Sequence, residues 1–204
     1  DNTLTNDIKS DNFDPNNSFT DYKPQITVMP RLAFSFNLTD EASFFAHYDI
    51  LAQRPQGRVI ATPADYYYFD QKIGTVFNNP NLKPEKTIDY QIGFRQLVTQ
   101  NSAITFSAFY REMRDMVQIV QVRYAYPRDY TTFGNVDFGT VKGFSLDFDM
   151  RKTRTSNLSL RLNYTLQFAD GTGADNTSAF NLVNFGQPNL RVLIPLNLDQ
   201  RHQF

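Results

Sequence analysis

Side chains able to do covalent or ligand chemistry are few in this 204-residue chain, which has two histidines and no cysteine. Without cysteine, thiol nucleophiles, zinc–thiolate sites and disulfide frameworks are excluded. His47 lies between Ser43 and Asp49, and on an extended backbone all three share a face, the composition of a nucleophile, a base and an orienting acid. Spacing argues against a relay, because positions i, i+4 and i+6 of one strand spread over about 20 Å, too far for hydrogen-bonded proton transfer. A polar wall is the better account, and the chain is expected not to be an enzyme. His202 stands apart in Asp199-Gln200-Arg201-His202 and completes no metal set. Asp170 and Asp175 bracket two glycines in "ADGTGAD". Hard oxygen ligands on such a loop suit calcium, but EF-hand spacing is missing and an ordinary Gly/Asp-rich turn explains them. In the run Asp65-Tyr66-Tyr67-Tyr68-Phe69-Asp70, the rings of Tyr66, Tyr67, Tyr68 and Phe69 have three uses. They stack on a sugar, chelate or peptide ligand, pack loops together, or form an aromatic girdle at a lipid boundary. No cofactor is expected.

These residues sit on or between elements with a plain period. Aromatics reach 15%, nearly all of it Phe (19) and Tyr (11), which favours strands. From 158 to 168, Leu158, Leu160, Leu162, Tyr164, Leu166 and Phe168 alternate with Ser159, Arg161, Asn163, Thr165 and Gln167. Such period-two text is a strand with one apolar and one polar face. The same pattern runs through Ile88–Phe94, Leu32–Leu38, Phe44–Ile50, Ile104–Tyr110 and Phe144–Met150, so six strands are expected, with a seventh starting near Leu196. Connections near 40, 100 and 152–157 are short, whereas 1–26, 52–85, 112–136 and 170–195 are long. A two-sheet sandwich has no reason to gather its long loops at one end, but an outer-membrane barrel, with short periplasmic turns and long external loops, does. The expected fold is therefore all-β, an antiparallel transmembrane β-barrel, with those four segments outside. No apolar run approaches the roughly 18 residues of a membrane helix.

In a barrel the Phe/Tyr/Leu face meets lipid, and Asp89, Arg95, Asp147, Asp149, Arg151 and Arg161 face the interior. Charges of both signs there suit salt bridges to a plug at least as well as selection of a ligand. Arg111, Arg114, Arg123 and Arg128 gather around 112–136, where lipopolysaccharide phosphates are a plausible counterpart. Lys+Arg (20) and Asp+Glu (21) nearly cancel, so no basic field exists to hold nucleic acid. Seven strands are too few and an odd number, so the chain is expected to be part of a larger barrel.

Residues 79–94, "NPNLKPEKTIDYQIGF", resemble a segment shared by TonB-dependent outer-membrane receptors, in which an external loop with Asn-Pro-x-Leu-Lys-Pro-Glu returns into a barrel strand. "MPRLAFSFNLTDEASFFAHYDILAQRP", "FSAFYREMRDMV" and "GNVDFGTVKGFSLDFDM" are similar to neighbouring pieces of that family, in its order. "YTTFGNVDFGTVKG", "YTLQFADGTG" and "LDQRHQF" look more narrowly like the Oar-like receptors of Bacteroidetes, which carry a carboxypeptidase-regulatory-like domain. The resemblance implies a 22-stranded barrel closed by a plug, of which this chain is about seven strands. It also implies a TonB box that couples import to the inner-membrane proton gradient, with neither plug nor box in this chain. On that footing the protein is a transporter in the outer membrane of a Gram-negative bacterium. Outer-membrane lipid and lipopolysaccharide are its partners, with TonB reached through the plug region. Other outer-membrane proteins or a surface lipoprotein are further partners. The alternative is a barrel serving as scaffold, adhesin or export partner, since Oar-like proteins have been linked to export.

Overall fold

A computed structural model describes residues 24–69, 71–72, 74–125, 128–154, 157–173, 175, 177–187 and 191–204, with positions 11, 13, 14, 16 and 21 before them. The expected loop 1–26 thus lies largely outside the described residues, as does Asp70. Among the described residues nine strands form one sheet. They are β1 (Arg31–Asn37), β2 (Ala42–Gln53), β3 (Val76–Phe77), β4 (Glu85–Thr99), β5 (Ser102–Val122), β6 (Tyr130–Met150), β7 (Leu160–Gly171), β8 (Ile194–Pro195) and β9 (His202–Gln203). Neighbours run β1-β2-β4-β5-β6-β7, all antiparallel, with β8 and β9 on the far edge of β7. β3 alone is parallel, against β6. The sheet is open rather than a closed barrel. Short helices α1 (Pro63–Tyr67) and α2 (Phe180–Asn184) sit in the long connections 52–85 and 170–195.

The short turns are closed by their own side chains. Leu38 N–H donates to Ala42 O at 2.9 Å, and Glu41 N–H to Thr39 Oγ1 at 3.2 Å. At the next turn Thr99 Oγ1 bonds Asn101 Oδ1 at 2.7 Å, while Asn101 Nδ2 reaches Arg151 O at 3.1 Å. Thr, Asp and Asn at such points supply local acceptors that let the chain reverse tightly.

All six strands expected from alternation are present, and register puts their like faces together. On the outer face Tyr48, Tyr90, Tyr110, Lys142 and Phe168 follow one another across five strands. Below them come Ala46, Ile92, Ala108, Phe144 and Leu166, then Phe44, Phe94, Phe106, Leu146 and Tyr164. Ile92, Phe144 and Leu162 are each about half exposed, at 55%, 50% and 56%. In water each would forgo about 1 kcal/mol of burial, a cost that hydrocarbon removes. The apolar run also drifts. It starts at Ile88 on β4, but Ile88 faces Glu112, so on β5 it starts at Tyr110; Tyr110 faces Lys142, so on β6 it starts at Phe144. Over these two steps the run slides by one residue pair, as a level membrane band does when projected onto tilted strands, while Ile50 on β2 is level with Ile88 and Phe168 on β7 is level with Lys142.

Two expectations change in detail. Residues 112–136 were expected as loop, but β5 and β6 run on through 112–122 and 130–136, each strand reaching 21 residues. Asp115, at φ 57°, and register shifts between Met113, Met116 and Val117 break the phase of the alternation. Beyond the break both faces of the hairpin are covered, so Gln118 and Ile119 are both buried and period two disappears. The seventh strand is also interrupted. Pro195 faces Asp170 and His202 faces Leu166, so seven residues step past four of β7. This bulge tucks Leu196, 5% exposed, against Val141 and Ala169, with Phe109 and Met113 packed around them.

The extended β5–β6 hairpin is the spine of a head at the long-loop end. Connection 52–85 crosses it to reach the far edge of β6. There Thr132 Oγ1 donates to Phe77 O at 2.9 Å, Asn79 Nδ2 to Phe133 O at 2.9 Å, and Lys83 N–H to Asn135 Oδ1 at 2.7 Å. Ile119, Ala179 and Val183 form a small core with Val76 and Phe133.

Candidate functional site

One face of the sheet carries the polar side chains expected to line a barrel interior, and most are paired. Arg31, Asp49, Asp89 and Arg111 lie in one row across four strands. Asp49 and Asp89 are direct neighbours of like charge, and each is held by an arginine on its outer side. Arg31 Nε to Asp49 Oδ1 is 3.1 Å, and Arg111 Nη2 to Asp89 Oδ2 is 2.7 Å, with Arg111 Nε also at 3.1 Å. Further down, Arg161 Nε meets Asp149 Oδ1 at 2.7 Å and Asn163 Nδ2 donates to Asp147. Arg95, opposite Thr105, and Arg151 lie within electrostatic reach of Asp149. Asp89, Arg95, Asp147, Asp149 and Arg161 thus share one face of the sheet, with Arg111 joining them and Arg151 just past the end of β6. Alternation alone could have found Arg111, which shares its parity with Phe109 and Ser107 rather than with the outward Tyr110.

That placement divides the four arginines expected to face lipopolysaccharide. Arg111 is inside. Arg114 pairs with Glu112 at 2.7 Å. Arg123 Nη2 donates to Gly186 O at 3.0 Å, and Arg128 Nη2 to Phe69 O at 2.9 Å. Two of the four therefore tie loops together.

Ser43, His47 and Asp49 do share a face, opposite Arg95, Gln91 and Asp89. They form no relay. Asp49 is engaged by Arg31, and Phe45 stands between Ser43 and His47, its ring 5.9 Å from the imidazole and edge-on to it. Phe45 also lies flat over Gly93 of the next strand, where a Cβ would come within 2.1 Å of the ring. Asp170 faces Thr140 on the outer side of the sheet, whereas Asp175 Oδ1 accepts from Thr177 N–H and Oγ1, both at 2.8 Å. Those bonds, the hydroxyl's above all, pull the Asp175 carboxyl below its usual range. Among the described residues no three His, Asp or Glu side chains converge as metal ligands.

The aromatic run is split by α1. Thr62 opens the helix: its N–H and Oγ1 donate to Asp65 Oδ2 at 2.9 and 2.8 Å. Lys72 Nζ holds Asp65 Oδ1 at 2.6 Å, and with the Thr62 bonds it draws the Asp65 carboxyl down to about 2. Tyr67 and Tyr68 remain exposed, edge to face at 5.0 Å. Tyr66 is half-buried, and desolvation first, then Asp65, pushes its hydroxyl up. Phe69 is buried, its ring 4.7 Å from Phe77 and 5.1 Å from Tyr130.

One polar cluster lay outside the sequence reading. Gln118, 1% exposed, donates from Nε2 to Asp175 O and Ser178 Oγ at 2.8 Å and to Asp137 Oδ2 at 3.1 Å. Its Oε1 accepts from Ile119 N–H at 2.9 Å. Asp137 is also buried, and among the described residues its Oδ1 has no hydrogen-bond partner. Only glycine fits at 173, since a Cβ there would lie 2.2 Å from Asp137 Oδ2. The one sequence signal was a glutamine between Val117 and Ile119 in an otherwise apolar stretch, 117–120.

A protein-family model for the TonB-dependent receptor-like β-barrel matches residues 5–198. Among solved structures, the ferric-catecholate import receptor Fiu of Escherichia coli K12 is similar at 18% identity and a TM-score of 0.50, over 72% of this chain and 19% of that one. The outer-membrane transporter YddB of E. coli is similar at 12% identity and a TM-score of 0.55, over 80% of this chain and 24% of that one. At such identity they speak to the fold. This chain spans about a fifth to a quarter of their lengths. Among curated proteins none matches.

Proposed function

The chain belongs to the TonB-dependent receptor-like β-barrel family, and from that premise we propose that it is one sector of a receptor that takes up a ligand with energy coupled through TonB. Its place is the outer membrane of a Gram-negative bacterium. The observation that supports the reading best is the inner row of Arg31, Asp49, Asp89 and Arg111. A wall with fixed charges of both signs, already balanced among themselves, can release and receive a plug without leaving a naked charge behind. Asp147, Asp149, Arg95, Arg151 and Arg161 continue that plug-facing surface lower down. No bond is made or broken; the work is binding and passage. Tyr67 and Tyr68, exposed on the head, are where an extracellular ligand or a surface lipoprotein would first touch the wall. The Oar-like group of Bacteroidetes is the subgroup we assign, on "YTTFGNVDFGTVKG" and "LDQRHQF".

The test is made on the full-length protein. A plug and a TonB box should precede this segment, and a cysteine in that box should cross-link to TonB in living cells. A full-length chain with neither element, or a box that never cross-links, overturns TonB-coupled uptake. A carboxypeptidase-regulatory-like domain ahead of the plug should accompany it if the subgroup is right.

A further inference from the structure

The outer face carries a notch that its alternation does not require. Ala108 sits between Ile92 and Phe144 in one row, and the rings of Tyr90, Tyr110 and Phe168 rise on the row above. The small side chain among large ones leaves an apolar groove of about 460 Å³. That is within the range of roughly 300–1,000 Å³ that holds a small ligand or one chain of a lipid. At its upper rim stands Lys142, the residue that ends the apolar run on β6. Among the described residues no carboxylate lies within ion-pair distance of it. On the far side of Phe168 the Arg201 guanidinium lies 5.5 Å over the ring, 61% of its side chain exposed and its acid partner Asp199 no closer than 3.5 Å. Two cations thus flank one outward aromatic at the edge of the lipid band nearest the long loops.

We propose that this groove and its two cations bind one lipopolysaccharide molecule of the outer leaflet, an acyl chain over Ala108 and a phosphate between Lys142 and Arg201. Position supports it first. A lysine on the lipid face costs about 2–4 kcal/mol at the bilayer midplane and almost nothing at the interface, where its stem snorkels and its ammonium meets headgroups. Charge complementarity supports it second, since phosphate-bearing lipid is the anion present at that depth and each cation near such a surface contributes about 1 kcal/mol. The site rests on the outer-membrane location and on the long loops facing outward, not on transport.

The experiment uses the full-length receptor, extracted in mild detergent, with bound 3-hydroxy fatty acid counted per protein as the marker of lipopolysaccharide. Wild type should retain it. Lys142→Gln with Arg201→Gln should lower retention about tenfold, a decade being about 1.4 kcal/mol. Ala108→Phe should lower it with both cations in place, and Lys142→Arg should keep it. Heat-modifiable migration shows that each variant is folded. Undiminished retention in the folded double variant overturns the proposal, as does a wild type that carries phospholipid alone. Loss of TonB cross-linking with retention intact would strike the transport reading and leave this one standing.

Discussion

At the scale of single residues, Asp65 shows how a loop is set by one carboxylate. Lys72 and Thr62 stabilise its charged form, so the carboxyl titrates near 2 instead of the ordinary 3.8. A depressed pKa means that the helix-opening contacts are fully present above about pH 4 and are lost as pH falls toward 2. Pepsin should therefore begin to cut connection 52–85 of the receptor only within that window. Lys72→Met removes the largest of the stabilising contacts and should move the onset of cutting upward, toward 3.8. An onset that stays put would show that Lys72 does not hold the loop. Asp65 is partly exposed, so the effect is local and weakens in high salt.

At the scale of elements, the head depends on Gln118. It ties β5 to the 172–187 connection through Asp175 O and Ser178 Oγ. Gln118→Leu keeps the volume and strands the buried Asp137 carboxylate, at about 1–3 kcal/mol or more for a charged group left unmet, while Asp175 O keeps its bond from Ser178 Oγ. Limited proteolysis at neutral pH should then cut within 172–187 while the barrel keeps its heat-modifiable migration. Resistance equal to wild type would mean that the small Ile119, Ala179 and Val183 core holds the loop without the amide. The same cluster shows what could be read in advance. β4 and β7 were legible because lipid on one side and water or plug on the other leave a clean alternation. The outer half of β5 and β6 was not, because Val117, Gln118 and Ile119 are covered on both faces and Asp115 resets the phase. That Asp89, Arg95, Asp147, Asp149 and Arg161 share one face was legible by parity. Arg111, grouped with nearby arginines in sequence, shares that face too, as parity also tells. Phe69 packs loops together, one of the uses open to the run, but its contacts Phe77 and Tyr130 could not be named beforehand because they are remote in the chain.

At the scale of the whole molecule, the proposed barrel requires the two faces of the sheet to meet two solvents. Spin labels placed singly along β4 of the full-length receptor in proteoliposomes should alternate. Positions 90, 92 and 94 should collide with oxygen dissolved in lipid, and 89, 91 and 95 with a water-borne nickel chelate or with the plug. Equal collision at neighbouring positions would place β4 in one medium and sink the assignment of faces. The drift of the apolar run from Ile88 to Tyr110 to Phe144 carries a further consequence. Rows of hydrogen-bonded neighbours are inclined to the membrane plane by the angle at which strands lean from its normal, about 35–45°. The row from Arg31 to Arg111 therefore climbs roughly 9 Å across its four strands, at about 4.8 Å between neighbours. It is a stretch of screw thread cut into the wall, not a ring around it. A cargo that follows those charges inward must turn as it descends.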